Sequence, residues 1–161
     1  MAAPHRGNTG FGTYLVRAAT FQKQSLFQTD RMAGLLVDVL LSYRAQQKYR
    51  LHEYVIMPDH FHLLITPTLT LERALQLIKG GFSFRAKRKL NFSGEVWQTS
   101  FYDRRVRDSE EYSAFRRYIY LNPVRKGLAV TAEEYPFSSA KAGMVLDAVP
   151  QRLKPSGLVA V

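Results

Sequence analysis

Two histidines, His60 and His62, stand one residue apart in the run Met57-Pro58-Asp59-His60-Phe61-His62-Leu63-Leu64. In a strand, side chains i and i+2 project from the same face, roughly 6–7 Å apart at Cα, so two imidazoles at this spacing can converge on one metal ion. The same spacing also suits two hydrogen-bonded histidines on a half-buried sheet face, and the residues alone leave both readings open. A second run, Arg116-Arg117-Tyr118-Ile119-Tyr120-Leu121-Asn122-Pro123, places Tyr118 and Asn122 four residues apart. On a helix these are stacked neighbours, so a phenol and an amide oxygen face one spot. There too a plainer reading stands beside it: Tyr118 keeps its hydroxyl in water at the boundary of an apolar stripe, and Asn122 caps the helix.

These residues need elements to hold them. Alternation over Thr13 to Phe21 reads as a strand. Ala33, Leu36, Val37, Leu40 and Leu41 recur at helical spacing and predict a helix over about 31–47, capped by Asp30. Strands follow over 49–57 and 60–66, joined by Pro58-Asp59. Those two residues suit the corners of a tight turn and predict an antiparallel hairpin with Met57 opposite His60 and Val55 opposite His62. That register sends His52 to the opposite face. His5 lies in a Gly-, Pro- and Ala-rich N-terminal arm over residues 1–12. Thr70 opens a second helix, which Gly80-Gly81 interrupts and which residues 82–90 resume. A strand is expected over 96–105. Asp108 with Glu111 forms a capping box for a third helix over about 109–121, which Asn122-Pro123 ends. On it Tyr112, Phe115 and Ile119 make a core stripe, with Tyr118 and Asn122 on one flank. The order β-α-β-β-α-β-α predicts an α+β, ferredoxin-like antiparallel sheet with two helices on one face and an added C-terminal helix. One domain is expected over 13–142, with a tail over 143–161.

Composition narrows the partners. The 161 residues carry 23 Lys and Arg against 13 Asp and Glu, a net charge of +10. Of the 23 basic residues, 13 fall within residues 71–130. An excess of this size implies an anionic partner. An apolar content of 46% excludes a disordered polycation, and the absence of cysteine excludes disulfide scaffolds, zinc-thiolate sites and cysteine catalysis. Any metal must be held by His, Asn or carboxylates. No apolar leader is visible, and no run approaches the ~20 apolar residues of a membrane span, so no membrane partner is expected and a cytoplasmic location is.

The His, bulky hydrophobe, His triplet, followed downstream by a helix with one tyrosine and an Asn four residues on, resembles the single-tyrosine HUH transposases, the IS200-like family. It is especially similar to the REP-associated tyrosine transposases of bacteria. The resemblance runs through MPDHFHLLI, LIKGGFSFRAK, VWQTSFYDRRVRD, RYIYLNPVRKGL and YPFSSA in that order. It implies that His60 and His62 bind a divalent ion, Mg²⁺ or Mn²⁺, with Asn122 as a third ligand. It also implies that Tyr118 attacks the scissile phosphate of single-stranded DNA, leaving a 5′-phosphotyrosine and a free 3′-OH. Chemistry agrees, because a phenol, with an ordinary pKa of about 10, needs a Lewis acid to attack a phosphodiester at neutral pH. The expected ligand is a short DNA hairpin, within a bacterial nucleoid, and either a homodimer or a monomer is compatible with the resemblance.

Lys79, Arg85, Lys87, Arg88 and Lys89 on the second helix, Arg104, Arg105 and Arg107 after the last strand, and Arg116 and Arg117 on the third helix are the candidate DNA-binding residues. Phe82, Phe84, Trp97 and Tyr102 are candidates for base stacking, although such spacings also suit core aromatics. The alternative function is a non-catalytic hairpin-binding module of the same fold, and a rolling-circle initiator or relaxase would share the His pair.

Overall fold

The computed structural model describes residues 12–151 and 153; the rest of the expected arm, His5 within it, and residues 152 and 154–161 of the expected tail lie outside the described residues. The elements are β1 (Tyr14–Ala19), α1 (Asp30–Ala45), β2 (Tyr49–Met57), β3 (His60–Pro67), α2 (Leu71–Leu90), β4 (Tyr102–Arg105) and α3 (Ser109–Arg125). The strands form one antiparallel sheet in the order β2-β3-β1-β4, the ferredoxin-like arrangement that the element order predicts.

Alternation divides the sheet into two faces. Tyr14, Val16 and Ala18 of β1, with Tyr54 and Ile56 of β2 and Phe61, Leu63 and Ile65 of β3, pack against Leu36, Val39 and Leu40 of α1 and Leu75, Ile78 and Phe82 of α2. The opposite face carries Leu15, Val55, Met57 and Leu64 and is covered by Tyr112, Phe115 and Ile119 of α3. Thus α1 and α2 share one face and α3 alone crosses the other.

Several local details depart from the sequence reading, each for an identifiable reason. The α1 cap is Thr29, whose side chain accepts from the Met32 amide, and Asp30 falls in the first turn. Gly80-Gly81 does not break α2, which is continuous over 20 residues. A Cβ at Gly80 meets nothing, whereas one at Gly81 would lie 2.7 Å from the Tyr43 hydroxyl. Gly81 therefore lets α1 approach α2 closely. The expected strand over 96–105 is divided: Arg17 faces Tyr102, but Thr20 faces Trp97 where strict pairing would put Thr99, so two residues are looped out. Pro123 does not end α3, which runs on to Arg125. A proline this close to the terminus removes little of the ladder, and the chain beyond it closes in a Schellman arrangement. Leu128 donates to the Pro123 carbonyl and Gly127, at φ +74°, to that of Val124.

The hairpin register is as expected, with Met57 opposite His60 and Val55 opposite His62. His52 nevertheless does not lie on the opposite face. A bulge between Leu51 and Glu53 shifts the pairing, and His52 packs edge-on against Tyr112 of α3, its rings 5.8 Å apart. It is far from His62 along the strand, and its Nε2 contacts the Thr66 hydroxyl at 2.8 Å.

The outer edge of β2 is covered by the chain after α3. Ile56 donates to Phe137, Ser139 donates to Tyr54, and the Tyr135 hydroxyl donates to the Ile56 carbonyl at 2.6 Å. Residues past 142 continue this cover: Asp147 accepts from the Leu51 amide and pairs with Arg44 at 3.0 Å. An edge strand so capped offers no free ladder to another chain.

The glycine pair supports a stability test. Gly80→Ala should stabilise the protein by about 0.5–1 kcal/mol, the usual helix-interior difference. Gly81→Ala should show none of that gain, because its methyl displaces Tyr43. Urea denaturation of both variants measures the contrast, and equal gains would show that α1 and α2 tolerate wider spacing.

Candidate active site

The tight turn Pro58-Asp59 starts β3 on His60, and the alternation of the strand puts His60 and His62 side by side on the α3 face. Their rings are 5.0 Å apart and nearly perpendicular. Asp59, which the sequence reading used only as a turn residue, accepts from His60 Nδ1 at 2.7 Å. A carboxylate on Nδ1 fixes the ring and leaves Nε2 free to bind a cation.

His62 is buried, with 3% of its surface exposed. Among the described residues, neither of its ring nitrogens has a hydrogen-bond partner, and neither does Oδ1 of buried Asn122. The Val16 backbone lies near the His62 ring without reaching hydrogen-bonding geometry. Burial lowers the basicity of both histidines. It is the largest cause for His60, and for His62, where the charges of His60, Arg17 and Arg125 add to it, it brings the pKa to about 3. Both imidazoles are therefore neutral at physiological pH and keep a lone pair for a cation.

Tyr118 lies over this pair. Its ring is 5.2 Å from that of His62, edge to face, and 39% of the residue is exposed. The continuation of α3 through Pro123 matters here. It keeps Asn122 on the helix one turn after Tyr118, and it brings the Arg125 guanidinium 4.6 Å over the Tyr118 ring, with Nη2 donating to the Tyr118 carbonyl at 3.3 Å. A cleft of about 570 Å³ opens beside His62 and Tyr118, lined also by Arg17, Tyr102, Asp103 and Phe115.

The donor set fits a divalent cation. Among the described residues no three His, Cys, Asp or Glu side chains cluster, so a cation here would take the two imidazoles and the orphaned amide oxygen of Asn122. Three unpartnered buried polar atoms are costly unless something completes them.

The candidate DNA-binding residues are dispersed. Lys87, Arg88 and Lys89 are exposed on α2, in the helical layer opposite α3. Arg85 is half-buried and donates to Ser42 on α1 at 3.3 Å. Lys79 donates to the Gln98 carbonyl at 2.8 Å and sits near Trp97, tying α2 to the segment before β4. Arg104 and Arg105 are exposed on β4, Arg104 lying over Phe115. Arg107 is held by Glu111 at 2.9 Å, in the capping arrangement that starts α3. Arg116 pairs with buried Glu53 at 2.8 Å, and Arg117 is exposed. Of the aromatic candidates, Phe82 is core and Trp97 packs with Phe27, Phe61 and Phe82, whereas Phe84 and Tyr102 are 61% and 59% exposed.

Sequence reasoning missed Glu53, whose carboxylate joins β2 to Arg116 of α3 and to the Ser139 hydroxyl at 2.7 Å. It also missed Arg17, the cross-strand partner of His62, which only the β1–β3 register reveals.

Comparison with known proteins supplies the context. The REP-associated tyrosine transposase of Escherichia coli strain K12 is 23% identical over 137 residues, spanning 83% of this chain and 77% of that protein. A Haemophilus influenzae protein assigned as a REP-associated tyrosine transposase is 26% identical over 141 residues, spanning 76% of this chain and 80% of its own. Among solved structures, a REP-associated tyrosine transposase bound to a REP hairpin superposes with a TM-score of 0.71 at 21% identity, covering 86% of this chain and 82% of that one. The profile of the family "Transposase IS200 like" matches residues 14–122, from the first residue of β1 to Asn122, and so takes in both histidines, Tyr118 and the whole sheet. The chain belongs to the IS200-like transposase family.

Proposed function

We propose that this protein is a DNA strand transferase that binds hairpin DNA of the REP type and cleaves and rejoins single strands through Tyr118. The observation that carries this reading is that His62, whose buried ring nitrogens have no partner among the described residues, lies 5.2 Å from the Tyr118 ring, with the likewise unpartnered Oδ1 of Asn122 one helical turn after Tyr118. A module that only binds hairpins gains nothing from burying polar atoms without partners next to an exposed phenol.

In this reading the Tyr118 hydroxyl oxygen attacks the scissile phosphorus. The Oη–P bond forms as the P–O3′ bond breaks, the phenolic proton passes to water, and the departing 3′ oxygen takes up a proton. A phosphotyrosine keeps the free energy of the phosphodiester, so the reverse attack by a 3′-OH rejoins strands without another energy source. The ring of Tyr118 is held for this by contacts with the His62 ring and the Arg125 guanidinium. His60, set by Asp59, with His62 and Asn122, would hold a divalent ion, Mg²⁺ or Mn²⁺. Bound there, such an ion would supply Lewis-acid polarisation of the phosphate. Imidazole ligands favour Mn²⁺ over Mg²⁺. Hairpin binding falls to the exposed cations Lys87, Arg88, Lys89, Arg104, Arg105 and Arg117 and to the exposed rings of Phe84 and Tyr102. No helix among the described residues is long and apolar enough to cross a membrane. Work on chromosomal hairpins would place the protein with the bacterial nucleoid.

Tyr118→Phe removes one oxygen and almost no volume. It should abolish the covalent protein–DNA adduct, lowering cleavage on the order of 10³-fold or more, with folding and hairpin affinity near wild type. Tyr120→Phe, on the far side of the helix, should cleave normally. Denaturing gels with labelled single-stranded hairpins and Mn²⁺ read both, and an adduct persisting in Tyr118→Phe would favour the non-catalytic binder.

The cation site can be read without DNA. Mn²⁺ titration followed by electron paramagnetic resonance should find one ion bound. Asp59→Asn should weaken it about 10–100-fold by releasing the His60 ring. An unchanged affinity would remove His60 from the ligand set.

Binding to the hairpin should exceed binding to plain duplex, because exposed rings need unpaired bases, and should fall steeply with salt. Fluorescence anisotropy at several salt concentrations measures this; equal affinity for a plain duplex would oppose it.

A further inference from the structure

The cleft beside Tyr118 contains a cation that nothing above has used. Arg17 lies on β1 directly opposite His62, with Ala19 opposite His60, so its side chain leaves the sheet on the same face as the two imidazoles. It is half-buried, and it lines the cleft together with His62 and Tyr118. Among the described residues it makes no ion pair and no side-chain hydrogen bond, unlike Arg44, Arg107 and Arg116, each of which is held by a carboxylate. Asp103 lines the same cleft. A half-buried guanidinium with five unused donors calls for a planar or tetrahedral oxyanion.

We propose that Arg17 is a catalytic residue that holds the non-bridging oxygens of the scissile phosphate. This deepens the strand-transfer reading and rests on it. Two properties single Arg17 out from the other cations, including Arg104, which also lines the cleft but lies on the edge strand β4 and is engaged by Glu111 at 3.5 Å. It projects from a strand in the middle of the sheet, so its Cα is fixed by hydrogen bonds to β3 on one side and β4 on the other. And it lines the same cleft as His62 and Tyr118, where a phosphate attacked by Tyr118 would sit. As the Tyr118 Oη–P bond forms and the P–O3′ bond breaks, negative charge concentrates on the two non-bridging oxygens. A fixed guanidinium donating to them stabilises that arrangement more than the ground state, without reorganisation during the reaction. Arg125 cannot take this part while it stacks on the Tyr118 ring. The α2 cations cannot take it either, because they belong to the opposite layer.

The test has two arms, both on the full chain. In the first, inorganic phosphate is titrated into isotopically labelled protein without DNA or metal. The Arg17 Nε–H resonance and the Tyr118 ring resonances should shift together, and Arg17→Gln should weaken phosphate binding about tenfold or more at an unchanged melting temperature. Shifts confined to Lys87, Arg88 and Lys89 would overturn the proposal. In the second, adduct formation on a labelled hairpin is followed at saturating DNA. Arg17→Gln should slow it on the order of 10²–10³-fold with hairpin affinity unchanged, and Arg17→Lys should recover part of the loss. A wild-type rate in Arg17→Gln, or a loss confined to affinity, would overturn it. If even the wild-type protein forms no adduct, the strand-transfer reading fails, while the phosphate titration still decides whether Arg17 is an oxyanion site.

Discussion

What the site depends on is the seating of α3 across the sheet face that α1 and α2 leave open. A helix places successive residues about 100° apart, so Tyr118 and Asn122 meet His62 only at one rotation and one height of α3. Apolar packing of Tyr112, Phe115 and Ile119 on Val55, Met57 and Leu64 sets the distance from the sheet. Greasy contacts alone tolerate sliding, and here polar contacts on the two flanks fix the rest. Arg116 reaches down to Glu53 on β2, while Arg107 and Asp108 lock the first turn through Glu111. Glu53 is a buried carboxylate that also accepts from Ser139, so the segment closing the β2 edge takes part in the same network.

The seating has a cost that the rest of the fold must carry. His62 and Asn122 bring three polar atoms into the interior with no partner, each worth about 1–3 kcal/mol of lost solvation. A fold optimised only for stability would place leucine or methionine there, as it does at neighbouring Leu64 and Met57. The apolar core on the other face, with fully buried Tyr49, Tyr54, Phe61 and Phe82, is the counterweight that keeps such a site folded. Two layers thus have separate duties: stability resides mainly under α1 and α2, chemistry under α3.

This division explains which features were legible in the sequence. Periodicity and capping residues identified the three α-helices, and Pro58-Asp59 gave the hairpin register that pairs Val55 with His62, because turn chemistry and alternation are local. The Tyr118–Asn122 spacing was legible for the same reason. What failed was non-local or depended on a single interruption. The bulge at Leu51/Glu53 reversed the side on which His52 lies, since one extra residue inverts strand parity and nothing in the residues there announces it. Pro123 was read as a stop, yet the helix gains another half-turn because Gly127 can adopt the left-handed conformation that closes it. That extension put Arg125 over Tyr118. Gly80-Gly81 was read as a break because propensity cannot see Tyr43 on a neighbouring helix. Arg17 and Glu53 needed the strand register and the position of α3 before either had a meaning.

Charge is the property the composition overstated as a footprint. A count of +10 suggests that basic residues as a class face the ligand. Yet Arg44 is held by Asp147, Arg107 by Glu111, Arg116 by Glu53 and Lys79 by a carbonyl, so these cations serve the fold before any partner arrives. Those that remain divide by layer. Lys87, Arg88 and Lys89 present exposed side chains on α2, suited to long-range attraction of a phosphate backbone. Arg17, Arg125 and Lys126 surround the histidine pair, and the one carboxylate hydrogen-bonded there, Asp59, is engaged with His60. A cleft with that balance favours an anion beside the histidine pair. Since opposite charges attract most strongly where water is excluded, the proposed phosphate would be placed by the few cations near His62 and only drawn near by the more numerous exposed ones.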